Sequence, residues 1–223
     1  MKFIAFLSIL LTVSQVVGQE LPLETVDQTK LIKDLVKSEA VNNKTYMSLW
    51  LPEVYWEFMV GQGVLTELQY EEFISMTKGY SIFFVFAGSL NDENTLWDAD
   101  SETKLLKQIQ ITYNGKVYTP LKDKQLTVEL RDFSETMQPM MTQMFGSMGN
   151  GFRYFFFDIR DSNQECIVDP LKDSDLKIKI DNDVTFTYNL PFPSLFEDKK
   201  CPVDSEEFPY NYNYCPIHGN ELK

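Results

Sequence analysis

The run Ile82-Phe83-Phe84-Val85-Phe86, bounded by Gly79 and Gly88, constrains this chain more than any other stretch. Five consecutive β-branched or aromatic residues leave no polar face, so the segment predicts a strand covered on both sides and central in its sheet. The 14% aromatic content, with 17 Phe and 11 Tyr, suits a sheet-rich core.

Upstream of this strand the period is helical. Thr25 with Gln28 has capping-box spacing, and Leu31, Ile32, Leu35 and Val36 repeat on one helical face. A second helix is expected from Pro52, with Val54, Tyr55, Phe58 and Met59 as its apolar face and Gly61-Gln62-Gly63 as its break. Thr66 with Gln69 opens a third, which runs through Ile74 and Met76 to a left-handed cap at Gly79. Residues 23–79 therefore read as helical throughout. Downstream, Asn114-Gly115 between residues 108–113 and 116–119 predicts a type I′ hairpin. Further strands are expected at 126–130, 152–159, 176–180 and 184–190, the last two each with one wet face. The sum is an α+β fold: N-terminal helices packed on an antiparallel β-sandwich or open barrel. Residues 19–79 and 80–195 form one domain on this reading. After Pro191-Phe192-Pro193 the composition turns rich in proline, tyrosine and charge, and the tail 196–223 is too short for an apolar core of its own. It needs a covalent or metal staple.

The first eighteen residues have the pattern of a secretory signal peptide. Lys2 precedes an apolar core from Phe3 to Leu11, and Val16-Val17-Gly18 makes a small-residue exit. Cleavage after Gly18 and a secreted or periplasmic protein are expected. The leader is too short to span a bilayer and no later run is long enough, so no membrane span is expected in the mature form. With 33 acidic against 20 basic residues the net charge is −13, which excludes a nucleic-acid groove and disfavours anionic membrane surfaces. Asn43-Lys44-Thr45 has glycosylation spacing.

The sharpest chemistry lies in Cys201-Pro202-Val203-Asp204 and Cys215-Pro216-Ile217-His218-Gly219. This pair of Cys-Pro turns resembles the knuckles of a zinc ribbon or rubredoxin-like module, in which each knuckle presents two sulfurs to one metal. Here the second sulfur is replaced, by Asp204 in one knuckle and His218 in the other, and Ser205 stands where the first knuckle would carry glycine. The resemblance implies Cys201, Asp204, Cys215 and His218 as a two-sulfur, one-nitrogen, one-oxygen set acceptable to structural zinc. A disulfide between Cys201 and Cys215 is the competing expectation for an exported protein, closing a loop worth roughly 3 kcal/mol, with Cys166 as the odd thiol. Free thiols are the third. The chain as a whole resembles an uncharacterised exported bacterial family, a resemblance that implies export and supplies no activity.

Weaker patterns remain. Met137, Met140, Met141, Met144 and Met148 lie on one helical face after Ser134, with Pro139 among them; core or contact surface is the expected role, Cu(I) binding the sharper alternative. Residues 91–102 read as a solvated acidic loop rather than a calcium site. Tyr210, Tyr212 and Tyr214 would share a face of an extended chain, to cover the main domain or stack on sugars. With a single histidine and no diagnostic catalytic motif, the reading leans against an enzyme. It expects an exported interaction or cell-envelope protein with a protein or glycan partner. The alternatives are a metal- or carbohydrate-binding protein and a carboxylate-dependent hydrolase.

Overall fold

The computed structural model describes residues 18–91, 96–182 and 184–223. All of the expected signal segment except Gly18 lies outside the described residues. Two compact units emerge: Leu21–Leu195, and Phe196–Lys223 together with residues 18–20.

In chain order the larger unit contains α1 (Gln28–Leu35), β1 (Val36–Val41), β2 (Lys44–Trp50), α2 (Glu53–Gly61), α3 (Glu67–Thr77), β3 (Tyr80–Leu90), β4 (Trp97–Ala99), α4 (Glu102–Leu105), β5 (Gln110–Tyr113), β6 (Lys116–Tyr118), α5 (Val128–Phe145), β7 (Arg153–Asp158), β8 (Ser174–Lys179) and β9 (Thr185–Leu190). The architecture is α+β, as expected. All strand pairings are antiparallel.

Strand β3 is central. β2 pairs with it across Phe83–Gly88, and β7 and β4 pair with it at Tyr80–Val85 and Gly88–Leu90. Its side chains point alternately to two covered faces. On one face Phe84 meets Tyr154 at 4.5 Å and Phe133 of α5 at 6.3 Å between ring centroids, and Phe133 in turn meets Trp56 of α2 and Phe73 of α3. On the other face Phe83 and Trp50 meet Tyr188 of β9 at 5.8 and 5.6 Å. β9 belongs to a second sheet of order β6-β5-β8-β9. The second sheet covers one side of β3 and the helices cover the other, which is why its apolar run has no alternation. Where the two sheets meet, the buried Ser48 hydroxyl lies 2.9 Å from the Tyr188 hydroxyl, which itself donates to the Ser48 carbonyl at 3.2 Å.

Several boundaries match the sequence. Thr66 and Gln69 form the capping box of α3, Gly79 has φ +83°, and Asn114 and Gly115 both take the left-handed values of a type I′ turn. β8 and β9 alternate buried and wetter positions. Others are corrected. The cap of α1 is Asp27, whose Oδ1 accepts from the N–H groups of Thr29 and Lys30 at 2.7 and 3.0 Å, while Thr25 closes a separate 3-10 turn. Residues 23–79 are not helical throughout, because Val36 begins a hairpin whose turn places Asn42 and Asn43 at φ 51° and 62°. The expected strand at 126–130 is the start of α5: the Thr127 hydroxyl accepts from Leu130 N–H, and Leu130, Phe133, Met137 and Met141 then recur on one buried face. Ser134 is inside that helix, its hydroxyl returned to the Leu130 carbonyl. No helix of the described residues is long and apolar enough to cross a membrane.

The smaller unit is strand and turn. β10 (Lys199–Lys200) pairs with β11 (Glu207–Phe208), and Lys200 exchanges both backbone hydrogen bonds with Lys223. Tyr214 bridges Glu221, and Glu197 N–H donates to the Gln19 carbonyl. Its interior is small: Cys201, Cys215 and Leu222, with Phe208 packed against them.

Candidate metal centre

The two Cys-Pro turns fold alike. Cys201 N–H donates to the Glu206 carbonyl at 2.9 Å and its own carbonyl accepts from Ser205 N–H at 2.9 Å. Cys215 repeats both bonds, with Asn220 at 2.8 Å and Gly219 at 2.8 Å. The residue four places after each cysteine is left-handed, Ser205 at φ 65° and Gly219 at φ 70°. That is the conformation glycine adopts without steric cost, so serine in the first knuckle holds it against its own Cβ. Proline after each cysteine fixes φ at the turn entrance. The N–H groups two and three places on, Val203 and Asp204 in one knuckle and Ile217 and His218 in the other, are directed to the sulfurs.

These turns bring three donors together. Sγ of Cys201, Sγ of Cys215 and a ring nitrogen of His218 all lie within 4.8 Å of one another. His218 Nδ1 is 3.5 Å from Cys201 Sγ and 3.6 Å from Cys215 Sγ. Both cysteines are 1% exposed, while His218 faces solvent. This Cys-Cys-His group could hold a metal ion, and among the described residues it is the only such group. Of the four positions anticipated from sequence, Asp204 stands at the edge. Its Oδ2 is 3.6 Å from His218 Nδ1, and its Oδ1 accepts from Glu206 N–H at 3.1 Å, which fixes the orientation of the carboxylate.

The electrostatics differ between the two sulfurs. Burial pushes the Cys201 thiol above its ordinary value, outweighing the N–H groups of Val203 and Asp204. At Cys215 burial pushes the same way, but the N–H groups of His218 and Ile217, with the Cys201 and His218 side chains, bring it below the ordinary value. The Glu206 N–H holds the Asp204 carboxyl low, against burial and with Cys201 and His218 adding to the effect. Cys201 and Cys215 are free thiols here, and so is Cys166, a half-buried residue of the larger unit. What the sequence did not display is the N–H groups aimed at sulfur; they follow from the turn, and only the Cys-Pro repeat hinted at them.

Met137 and Met141 are core residues of α5, 1% and 0% exposed, whereas Met144 is 54% exposed and Met148 lies beyond the end of α5 in a 3-10 turn, so the five do not share one helical face. Of the acidic stretch, Asp92 and Glu93 lie outside the described residues, and the Asp100 carboxylate is taken by Lys44 and Lys104. Tyr210 stacks on Phe196 at 4.4 Å, Tyr212 lies 6.3 Å from Phe208, and Tyr214 is exposed. No protein-family model, curated protein or solved structure matches the chain.

Proposed function

We propose that this is an exported, non-catalytic binding protein whose C-terminal tail is stapled by one zinc ion, held by Cys201, Cys215, His218 and Asp204. The observation that carries the metal is a set of distances. A zinc tetrahedron with metal–sulfur bonds of about 2.3 Å and metal–nitrogen bonds of about 2.0–2.1 Å has a sulfur-to-nitrogen edge of about 3.6 Å. Both sulfur-to-Nδ1 separations fall on it, at 3.5 and 3.6 Å. The matching oxygen-to-nitrogen edge is about 3.4 Å, and Asp204 Oδ2 to His218 Nδ1 is 3.6 Å. Two sulfurs, an imidazole nitrogen and a carboxylate oxygen suit zinc, and the N–H groups around each sulfur stabilise thiolate charge as outer-shell partners do.

Four ligands close the coordination sphere, so the ion's role is structural. The tail has need of one, since its interior is two cysteines, a leucine and a partly covered phenylalanine. Export rests on the leader pattern of the first eighteen residues, and binding rather than catalysis on the lack of a catalytic motif around the single histidine.

Native mass spectrometry of the full protein with thiol counting, before and after a chelator, tests the staple. One zinc lost to the chelator, with the tail then open to proteolysis after Phe196, is the expected result. A mass lower by two hydrogens with a single free thiol, unchanged by chelator, would establish the Cys201–Cys215 disulfide instead.

A further inference from the structure

The larger unit contains a cleft of 280 Å³ that no sequence pattern announced. Three stretches wall it: residues 50–57 at the start of α2, residues 74–82 across the end of α3 and the start of β3, and the loop 165–171. The floor is apolar, with Leu51, Val54, Ile82 and Val168 all buried.

The lining is rich in carboxylates. Glu165 is paired with Lys78 at 2.7 Å and Asp169 with Lys172 at 2.8 Å. Glu53 and Glu57 are different. They lie four residues apart on α2, where like charges repel, and among the described residues neither has an ion-pair partner. Both instead receive the Tyr70 hydroxyl, at 3.1 and 3.2 Å. That phenol is held well above its ordinary value, by burial first and by Glu57 and Glu53 next, so it remains neutral. Lys78 also lines the cleft and acts on Glu53, but it is paired with Glu165, so one phenolic proton shared between two carboxylates leaves the cleft net negative.

A second, independent observation points inward. Ser81 lines the same cleft, is 2% exposed, and its hydroxyl has no hydrogen-bond partner. Buried hydroxyls are nearly always paired, and an orphan of this kind calls for a ligand atom or a water. A metal ion does not fit, because the carboxylates here do not gather as metal ligands do; the Cys201, Cys215 and His218 cluster is the sole such group among the described residues.

We propose that this cleft binds a small organic cation. The ligand is a primary amine whose ammonium sits between Glu53 and Glu57, whose apolar body covers the floor, and whose distal hydroxyl pairs with Ser81. The volume sets the size at about one ring with a short chain, since pockets for drug-sized ligands begin near 300 Å³.

Calorimetric titration of the full protein with three probes tests this. Tyramine carries the charge, the ring and the hydroxyl; phenethylamine lacks the hydroxyl; 4-ethylphenol lacks the charge. Tyramine should bind saturably, and 4-ethylphenol about tenfold or more weakly, since a charge-assisted hydrogen bond is lost. Glu57→Gln should weaken tyramine by a similar factor. Ser81→Ala should erase the preference for tyramine over phenethylamine and leave phenethylamine unchanged. No tyramine binding up to about 10 mM, or binding of 4-ethylphenol as tight as tyramine, overturns the proposal. If either variant fails to fold, the three probes on the unaltered protein still decide the matter. Chelator treatment of the cysteine cluster is a separate measurement, so the zinc reading stands or falls independently.

Discussion

Zinc affinity of the tail should rise steeply with pH, and the number of thiol protons sets how steeply. A thiol binds metal as thiolate, so each protonated cysteine must release a proton, and protons compete with zinc. Cys201 is held above its ordinary value of 9.0, so it stays protonated at neutral pH and contributes one full proton. Cys215 is held below 9.0, so it releases its proton more readily than Cys201 and contributes at most a second one. The apparent affinity should therefore increase by about tenfold to hundredfold per pH unit between about pH 6 and about pH 8. Competition against a chromophoric chelator at several pH values measures that slope. Cys201→Ser should lower it by about one proton and cost affinity at every pH. Asp204→Asn should weaken binding while leaving the slope intact, because the carboxylate is already ionised in this range. An affinity flat with pH, or a slope unmoved by Cys201→Ser, would refute thiolate coordination by this pair.

Two predictions concern the larger unit. Met141→Ala should destabilise it by about 2–5 kcal/mol in chemical denaturation, since Met141 is 0% exposed, whereas Met144→Ala at 54% exposure should be nearly silent. Equal effects would remove the core assignment of that helix face. Asp100 is half-buried, which alone would raise its carboxyl, yet hydrogen bonds from Lys104 and Lys44 bring it below its ordinary value of 3.8. Its contribution to stability is thus present above about pH 3.8 and lost as pH falls through the lower folded-state value. Asp100→Asn should flatten the acid limb of a stability-against-pH curve, and an unchanged limb would discard the argument.

The legible parts of the fold are those in which local chemistry and tertiary packing agree. The β3 run, the α3 capping box and the Asn114-Gly115 turn each need only a few neighbouring residues, and the rest of the molecule does not compete with them. The hairpin of β1 and β2 was hidden because Leu31, Ile32, Leu35 and Val36 continue a helical pattern past the true helix end. Asn42 and Asn43 adopt the left-handed values that Asn-Gly adopts more easily, so the turn had a weaker signature. Leu126, Val128 and Leu130 alternate like a strand over five residues. Only the longer series Leu130, Phe133, Met137 and Met141 reveals the helical period, and there the helix wins because Phe133 covers β3.

The two candidate sites differ in legibility for a reason rooted in sequence separation. A knuckle is assembled within six residues, and its geometry follows from proline, a left-handed fourth residue and N–H groups that can reach the sulfur. Repeating it fourteen residues later writes both halves of the centre into the chain. The cleft joins residues near 53, 81 and 169, and its orphan hydroxyl is an ordinary serine until β3 is paired on both edges and the loop closes over it. Glu53 and Glu57 likewise read as an exposed helical pair, which most acidic pairs are. Their significance depends on Tyr70 of α3 arriving as a neutral donor to both while Lys78 pairs with Glu165, a fact created by helix packing alone. Local chemistry could thus write the metal centre into the sequence, whereas the amine site had to wait for the fold.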